Sequence, residues 1–127
     1  MVYAAQSLSL AQLELLVHLE AEDVLRGHWR YFTLAVLPEA ILDCESWAEL
    51  PQNYAAWPAP ASTRAIGDRW ILESASVGLS VPSAITPGER NLLLSPTHPG
   101  YAAVVIGAPK RLTLDERLVK AGAQTER

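Results

Sequence analysis

The alternation of apolar and polar positions divides the chain into short blocks. Val2–Ala5 is an apolar run of strand character. Ser9 stands three residues before Gln12, the spacing of a capping box, and predicts a helix start. From Leu8 to Leu19, Leu10, Leu13, Leu16 and Val17 recur at helical spacing, with Leu15 and Leu19 on the opposite side. The pattern predicts a helix covered on two faces that fades near Glu22–Gly27. Trp29–Leu37, aromatic and β-branched and stopped by Pro38, predicts a strand. Leu42–Pro60 carries Trp47, Pro51, Tyr54, Trp57, Pro58 and Pro60, which predicts an irregular excursion with a helical turn at Glu45–Leu50.

Ser62 or Thr63 can cap a second helix through Asp68, Trp70, Ile71 and Leu72 to about Ser76, with Gly78 ending it. Short strands are expected at Leu79–Ala84, Asn91–Ser95, Ala102–Ile106 and Arg111–Leu114, separated by Pro/Gly turns. The last of them leads into Asp115–Lys120, and the terminal Gly-Ala-Gln-Thr-Glu-Arg is expected to fray. Strands and helices intersperse without strict βαβ alternation. The expected class is therefore α+β, one domain over residues 1–127 with a mixed sheet and flanking helices.

Composition narrows the function classes. At 127 residues, 50% of them hydrophobic, the chain can close a single core. The formal charge is −4 and the ten Lys/Arg are scattered, apart from the stretch Arg26–Arg30, which argues against a nucleic-acid surface. The start Met-Val-Tyr-Ala-Ala-Gln has no basic residue ahead of an apolar stretch, as a signal peptide would. The uncharged window Asn91–Pro109 is broken by Pro96, Pro99 and Gly100 and does not read as a membrane span. A single cysteine, Cys44, allows no internal disulfide and no cysteine-based metal cluster, and points to a cytoplasmic setting.

Glu14 is the candidate of most interest. At about 100° per residue it falls between Leu10 and Val17 on one side and Leu25 on the other, inside an apolar arc. A carboxylate there must find hydrogen-bond partners, take a proton or line a cavity. The alternative is a rim glutamate paired with His18 one turn on. His18, His28 and His98 lack any HExxH-like spacing, and no metal site is expected. Ser83 has no Gly-x-Ser-x-Gly around it and does not read as a nucleophile elbow. Thr63–Trp70 reads as structural, with Gly67 allowing close backbone approach and Trp70 filling the core. There is no GxGxxG or GxxxxGK[ST] loop for a dinucleotide or P-loop phosphate.

The order of several short motifs adds to this. Tyr3-Ala4-Ala5-x-Ser7, Leu10-Ala11-x-Leu13-Glu14 and Val17-His18 resemble the RES domain, the toxin family of bacterial Xre/RES toxin–antitoxin pairs. Thr63-x-x-Ile66-Gly67-Asp68-x-Trp70, Val81-Pro82-Ser83-Ala84, Glu89-x-Asn91-Leu92, Ser95-Pro96-x-His98-Pro99 and Leu114-Asp115-x-Arg117-Leu118 follow in the family's order. The resemblance implies a fold similar to ADP-ribosyltransferase toxins and an enzyme that cleaves the nicotinamide–ribose bond of NAD, with water or inorganic phosphate as acceptor. It implies no cofactor besides that substrate. Carried over by position, Glu14 stabilises the ribose cation, Tyr3 faces the nicotinamide, Ser83 holds ribose or phosphate, and Asn91 supports the site. An Xre-type antitoxin and a homodimer are the implied partners. The family's Gly-Arg-Trp-like segment precedes the strand holding Tyr3 and is absent from this sequence. That leaves open a start site or fragment effect, or a short form that docks partners without NAD turnover.

Overall fold

The computed structural model describes residues 1–56 and 59–118. Trp57 and Pro58 of the expected excursion, the end of the Asp115–Lys120 segment and the terminal Gly122–Arg127 lie outside the described residues. The chain opens with β1 (Val2–Ala5) and α1 (Leu8–His18), as the pattern predicts. The helix cap is Ser7 rather than Ser9: extended Ser7 accepts a hydrogen bond from the Leu10 amide at 3.1 Å. Ser7 satisfies one of the free amides of the first turn. Ser9 already lies within the helix, with no capping role left.

After α2 (Ala21–Arg26), the expected strand Trp29–Leu37 is present in two pieces, β2 (Trp29–Tyr31) and β3 (Leu34–Ala35). A 3-10 turn at Pro38–Ala40 leads to β4 (Ile41–Asp43) and α3 (Cys44–Trp47) inside the expected excursion. Then come α4 (Ala61–Glu73), β5 (Gly78–Pro82) and β6 (Arg90–Leu94). Residues Pro99–Ala103 form a second 3-10 turn that takes in the first two residues of the strand expected at Ala102–Ile106; β7 (Val105–Ile106) and β8 (Lys110–Leu112) are the described strands beyond it.

One sheet has the order β1-β6-β5-β4, antiparallel except for the parallel β4–β5 pair, so the chain is α+β with a mixed sheet. Its register aligns Tyr3 with Leu93, Leu93 with Leu79 and Leu79 with Leu42, a row of side chains on one face. On that face Trp70 of α4 and Cys44 of α3 pack with Leu79 as a fully buried core, surrounded by Leu42, Trp47, Ile71, Val81 and Leu93. The buried Trp70 indole donates to Ser76 Oγ at 2.9 Å, which satisfies its polar edge.

The ends of α4 differ from expectation. Neither Ser62 nor Thr63 caps it; Pro60 stands at the N-cap and its carbonyl accepts from the Thr63 and Arg64 amides. Ser74, in a left-handed conformation, closes the helix before Gly78. Gly78 belongs instead to β5, where a side chain would meet Leu92 Cδ1 at 3.1 Å and Ile41 Cγ1 at 3.4 Å. Gly67 has no such need: a methyl there would touch only Leu93 Cδ1, at 4.0 Å.

The second assembly is a two-stranded ribbon. Pairing runs from Trp29↔Leu112 to Tyr31↔Lys110 and resumes at Leu34↔Ile106. Between these pairs Phe32 and Thr33 face three residues, Gly107, Ala108 and Pro109, so β2–β3 and β7–β8 form one antiparallel ribbon with a bulge. Pro109 has no amide to donate, while the Gly107 amide reaches Thr33 O at 2.8 Å. The bulge is why a single expected strand is read as two.

Candidate active site

Three of the four residues singled out in the sequence converge. Glu14 lies on α1, Ser83 just beyond β5 and Asn91 in β6, up to 77 positions apart. Asn91 Nδ2 donates to Glu14 Oε1 at 2.8 Å, and Ser83 Oγ donates to the same oxygen at 3.4 Å. The apolar-arc carboxylate has thus found partners in the sheet. Both bonds fall on Oε1, so among the described residues Oε2 is uncommitted.

Each partner is itself held. Ser83 is only 3% exposed, and its hydroxyl accepts from the Ile85 and Thr86 amides at 3.1 and 3.0 Å. Its own amide donates to Glu89 O at 2.8 Å, extending the β5–β6 pairing by one step. The loop beyond turns at Pro87-Gly88, where Gly88 takes φ 88° and the Glu89 amide closes on Thr86 O. Ser83 therefore fastens this turn and reaches Glu14 with its remaining proton. Asn91 stands opposite both Ala5 and Val81 in the ladder, and its Oδ1 is buried without a hydrogen-bond partner. A buried carbonyl beside a carboxylate is an acceptor awaiting a donor.

Tyr3, the fourth residue, projects from β1 on the same face as Asn91, on the diagonal of the Ala5–Asn91 pair. It is 74% exposed and forms part of no described hydrogen bond. The structure thus places it at the rim of the Glu14 cluster.

Two residues that the sequence alone did not single out fix α1 in place. Ser7, the helix cap, donates its hydroxyl to Glu89 Oε1 at 3.2 Å, so the cap and the β5–β6 turn are tied together. Gln6 pairs with Arg90 in both directions, its amide to Arg90 O and its Oε1 from the Arg90 amide. The motif Glu89-x-Asn91 contained the signal: one residue holds the helix start and the other its carboxylate. Cover along α1 is partial: Leu10 is buried, whereas Leu13 and Val17, at the same helical spacing, are 40% and 55% exposed. The expectation of cover on two faces is not met within the described chain.

Arg90 is committed elsewhere. Its guanidinium donates to Ser80 Oγ at 2.7 Å and to both oxygens of Glu45 at 2.9 Å. Burial alone would raise the Glu45 carboxyl, but hydrogen bonds from Arg90 and Cys44 and the Arg90 charge bring it below its ordinary value. Burial first, then the bond to Glu45, pushes the Cys44 thiol up to about 12. This thiol is unsuited to nucleophilic work. His98 is structural: its Nδ1 accepts from the Gly100 amide at 2.9 Å and starts the second 3-10 turn. Among the described residues, no three His, Cys, Asp or Glu side chains are grouped as metal ligands.

Two clefts, of about 270 and 310 Å³, are lined by other residues. The Glu14 cluster lies on the sheet face that also carries Leu79 and Leu93. Among the described residues it is a carboxylate with one oxygen uncommitted, an unpartnered amide carbonyl beside it and an exposed phenol at the rim. Such a constellation suits an electrostatic role toward a cationic centre carrying hydroxyl or amide donors.

Comparison with known proteins agrees with the motif order. The RES domain model matches residues 1–115, and the chain belongs to the RES domain family. It is 37% identical over 120 residues to a protein of Yersinia enterocolitica named Toxin Res, covering 92% of this chain and 76% of that one. A Toxin Res of Photorhabdus laumondii is 40% identical over 124 residues, covering 94% and 76%. A Sphingobium protein named Prs ADP-ribosylating toxin is 32% identical over 122 residues, covering 94% and 74%, and its name fits the expected fold. No described helix is long and apolar enough to cross a membrane.

Proposed function

We propose that this chain is an NAD-degrading toxin that breaks the nicotinamide–ribose bond, acts in the cytoplasm as a homodimer and is restrained by an Xre-type antitoxin. The observation that carries the reading is the shared Glu14 oxygen: Asn91 and Ser83 fix Oε1, and Oε2 is left for substrate.

The bond from ribose C1′ to the nicotinamide nitrogen breaks with its electron pair leaving on the nicotinamide. The ribose passes through an oxocarbenium-like state, which an adjacent carboxylate stabilises. Glu14 Oε2 supplies that negative charge or accepts a ribose hydroxyl. Asn91 Oδ1 takes a donor from the substrate and thereby completes its own hydrogen bonding. Tyr3 offers an exposed ring to the departing nicotinamide. An acceptor oxygen, from water or inorganic phosphate, then bonds to C1′; water loses a proton to solvent in doing so. Ser83, with its lone pairs taken by two amides, serves this chemistry by positioning Glu14.

Purified protein incubated with NAD, with and without phosphate, is expected to release nicotinamide. Glu14→Gln keeps the shape and the Asn91 contact in part, and is expected to lower the rate about 10²–10³-fold. Release unchanged by Glu14→Gln would overturn the reading. The Sphingobium relative's name supports a second one, transfer of ADP-ribose to a protein. Labelled ADP-ribose retained on protein, in place of free product, would favour it.

A further inference from the structure

The ribbon carries an arrangement of charge that the Glu14 cluster does not use. Arg30 of β2 and Arg111 of β8 are direct partners in an antiparallel ladder, so both guanidinium groups rise from one face about 5 Å apart at the backbone. Like charges directly opposite destabilise a strand pair. This occurs in a chain with 14 acidic and 10 basic residues, where neutralising carboxylates are plentiful. Arg69, Arg90 and Arg117 each hold one, at 3.2, 2.9 and 2.8 Å. Arg30 and Arg111 hold none among the described residues.

Between them opens a cleft of about 310 Å³, lined by Gly27, His28, Trp29, Arg30, Arg111, Leu112, Thr113 and Leu114. Its polar side chains are two guanidinium groups, an imidazole and a hydroxyl, all of which can donate. Trp29 and Leu112, the next pair of the ladder, turn their side chains to the opposite face of the ribbon. Asp115 follows directly but is spoken for: both its oxygens are bonded to Arg117, which holds its carboxyl down near about 2. Planar guanidinium forks converging on one space bind an oxyanion in paired hydrogen bonds.

We propose that this cleft is a phosphate-binding site, taking inorganic phosphate or the phosphate of a nucleotide between Arg30 and Arg111, with His28 and Thr113, two positions along each strand on the same face, as further donors. None of its residues belongs to the Glu14 cluster, so the site stands independently of the NAD reading.

Isothermal titration of the full chain with inorganic phosphate, and separately with AMP, tests this. Saturable millimolar or tighter binding is expected, weakening with added salt as a charge-driven contact must. Arg30→Gln and Arg111→Gln are each expected to weaken it about tenfold or more, whereas Glu14→Gln leaves it unchanged. AMP tighter than phosphate assigns the site to nucleotides, and equal affinity to the free anion. Both substitutions are at exposed positions, and unchanged circular dichroism of each variant confirms folding. Absence of saturable binding, or binding lost with Glu14→Gln and retained in both arginine variants, overturns the proposal. That pattern would place phosphate at the Glu14 cluster, whose own activity is read out separately by nicotinamide release.

Discussion

The four-stranded sheet and the β2–β8 ribbon use strands of similar length for opposite ends. In the sheet, polar residues are satisfied by one another: Glu14 by Asn91 and Ser83, Arg90 by Ser80 and Glu45, Trp70 by Ser76. In the ribbon, like charges stand side by side and large apolar groups face solvent, with Ile106 50% exposed. The sheet has helices to lean on, α3 and α4, and the burial they provide makes every unpaired polar atom costly. The ribbon's paired residues are at most half-buried and its arginines are exposed, so its charges cost little unpaired and stay available. In the packed sheet most polar groups are committed in advance, with Asn91 Oδ1 left for a substrate; in the ribbon the charges themselves wait for a ligand.

The sharpest test of this contrast is stability. Trp70→Ala is expected to lower the unfolding free energy by about 3–5 kcal/mol in urea denaturation, because a fully buried indole leaves a cavity. Ile106→Ala in the ribbon is expected to cost under about 1 kcal/mol. Comparable costs at the two positions would break the comparison.

Ser83→Ala is expected next, at about 1–3 kcal/mol, since the Ile85 and Thr86 amides lose their acceptor. Thermal denaturation reads the loss, and nicotinamide release reads whether Glu14 has also slackened. A variant with full stability and full activity would show that the turn needs no clasp. Gly67→Ala is expected to act in the other direction, stabilising by about 0.5–1 kcal/mol, because the added methyl meets nothing closer than 4.0 Å. A drop in melting temperature would instead reveal a packing demand at this helix position.

The smallest effect concerns acid. The Glu45 carboxyl is lowered in the folded chain, so its contribution is fully present above its ordinary value of 4.5 and is lost as pH falls through the lower folded value. The pair is nearly half exposed, which keeps the effect small. Carboxyl titration by NMR is expected to show Glu45 below its ordinary value, and Arg90→Ala to move it upward. An unmoved Glu45 would show that Arg90 does not govern it.

The sequence made the candidate site more legible than the fold around it. Glu14, Ser83 and Asn91 are polar residues at positions where local pattern wants apolar ones or where a motif fixes their order, so each stood out before its partners were known. β4 did not: it is three residues long, and its parallel partner β5 begins 37 positions after it, at Gly78 against Ile41. No local periodicity reports a pairing of that range. The cap at Ser7 was obscured by the better spacing of Ser9 and Gln12: its bond from the Leu10 amide is local, but the Glu89 carboxylate that holds the Ser7 hydroxyl lies far along the chain. The bulge in the ribbon depends on counting residues across two strands, which one strand's pattern cannot do.

Cys44 has a use apart from the function. It is fully buried in the sheet core, and its thiol is held up at about 12. A thiol reagent can react with it only when α3 lifts from the sheet. Its labelling rate therefore clocks the opening of the core in the native protein. The chain contains a single-site reporter of its own breathing, readable without mutation and separable from any event at the ribbon.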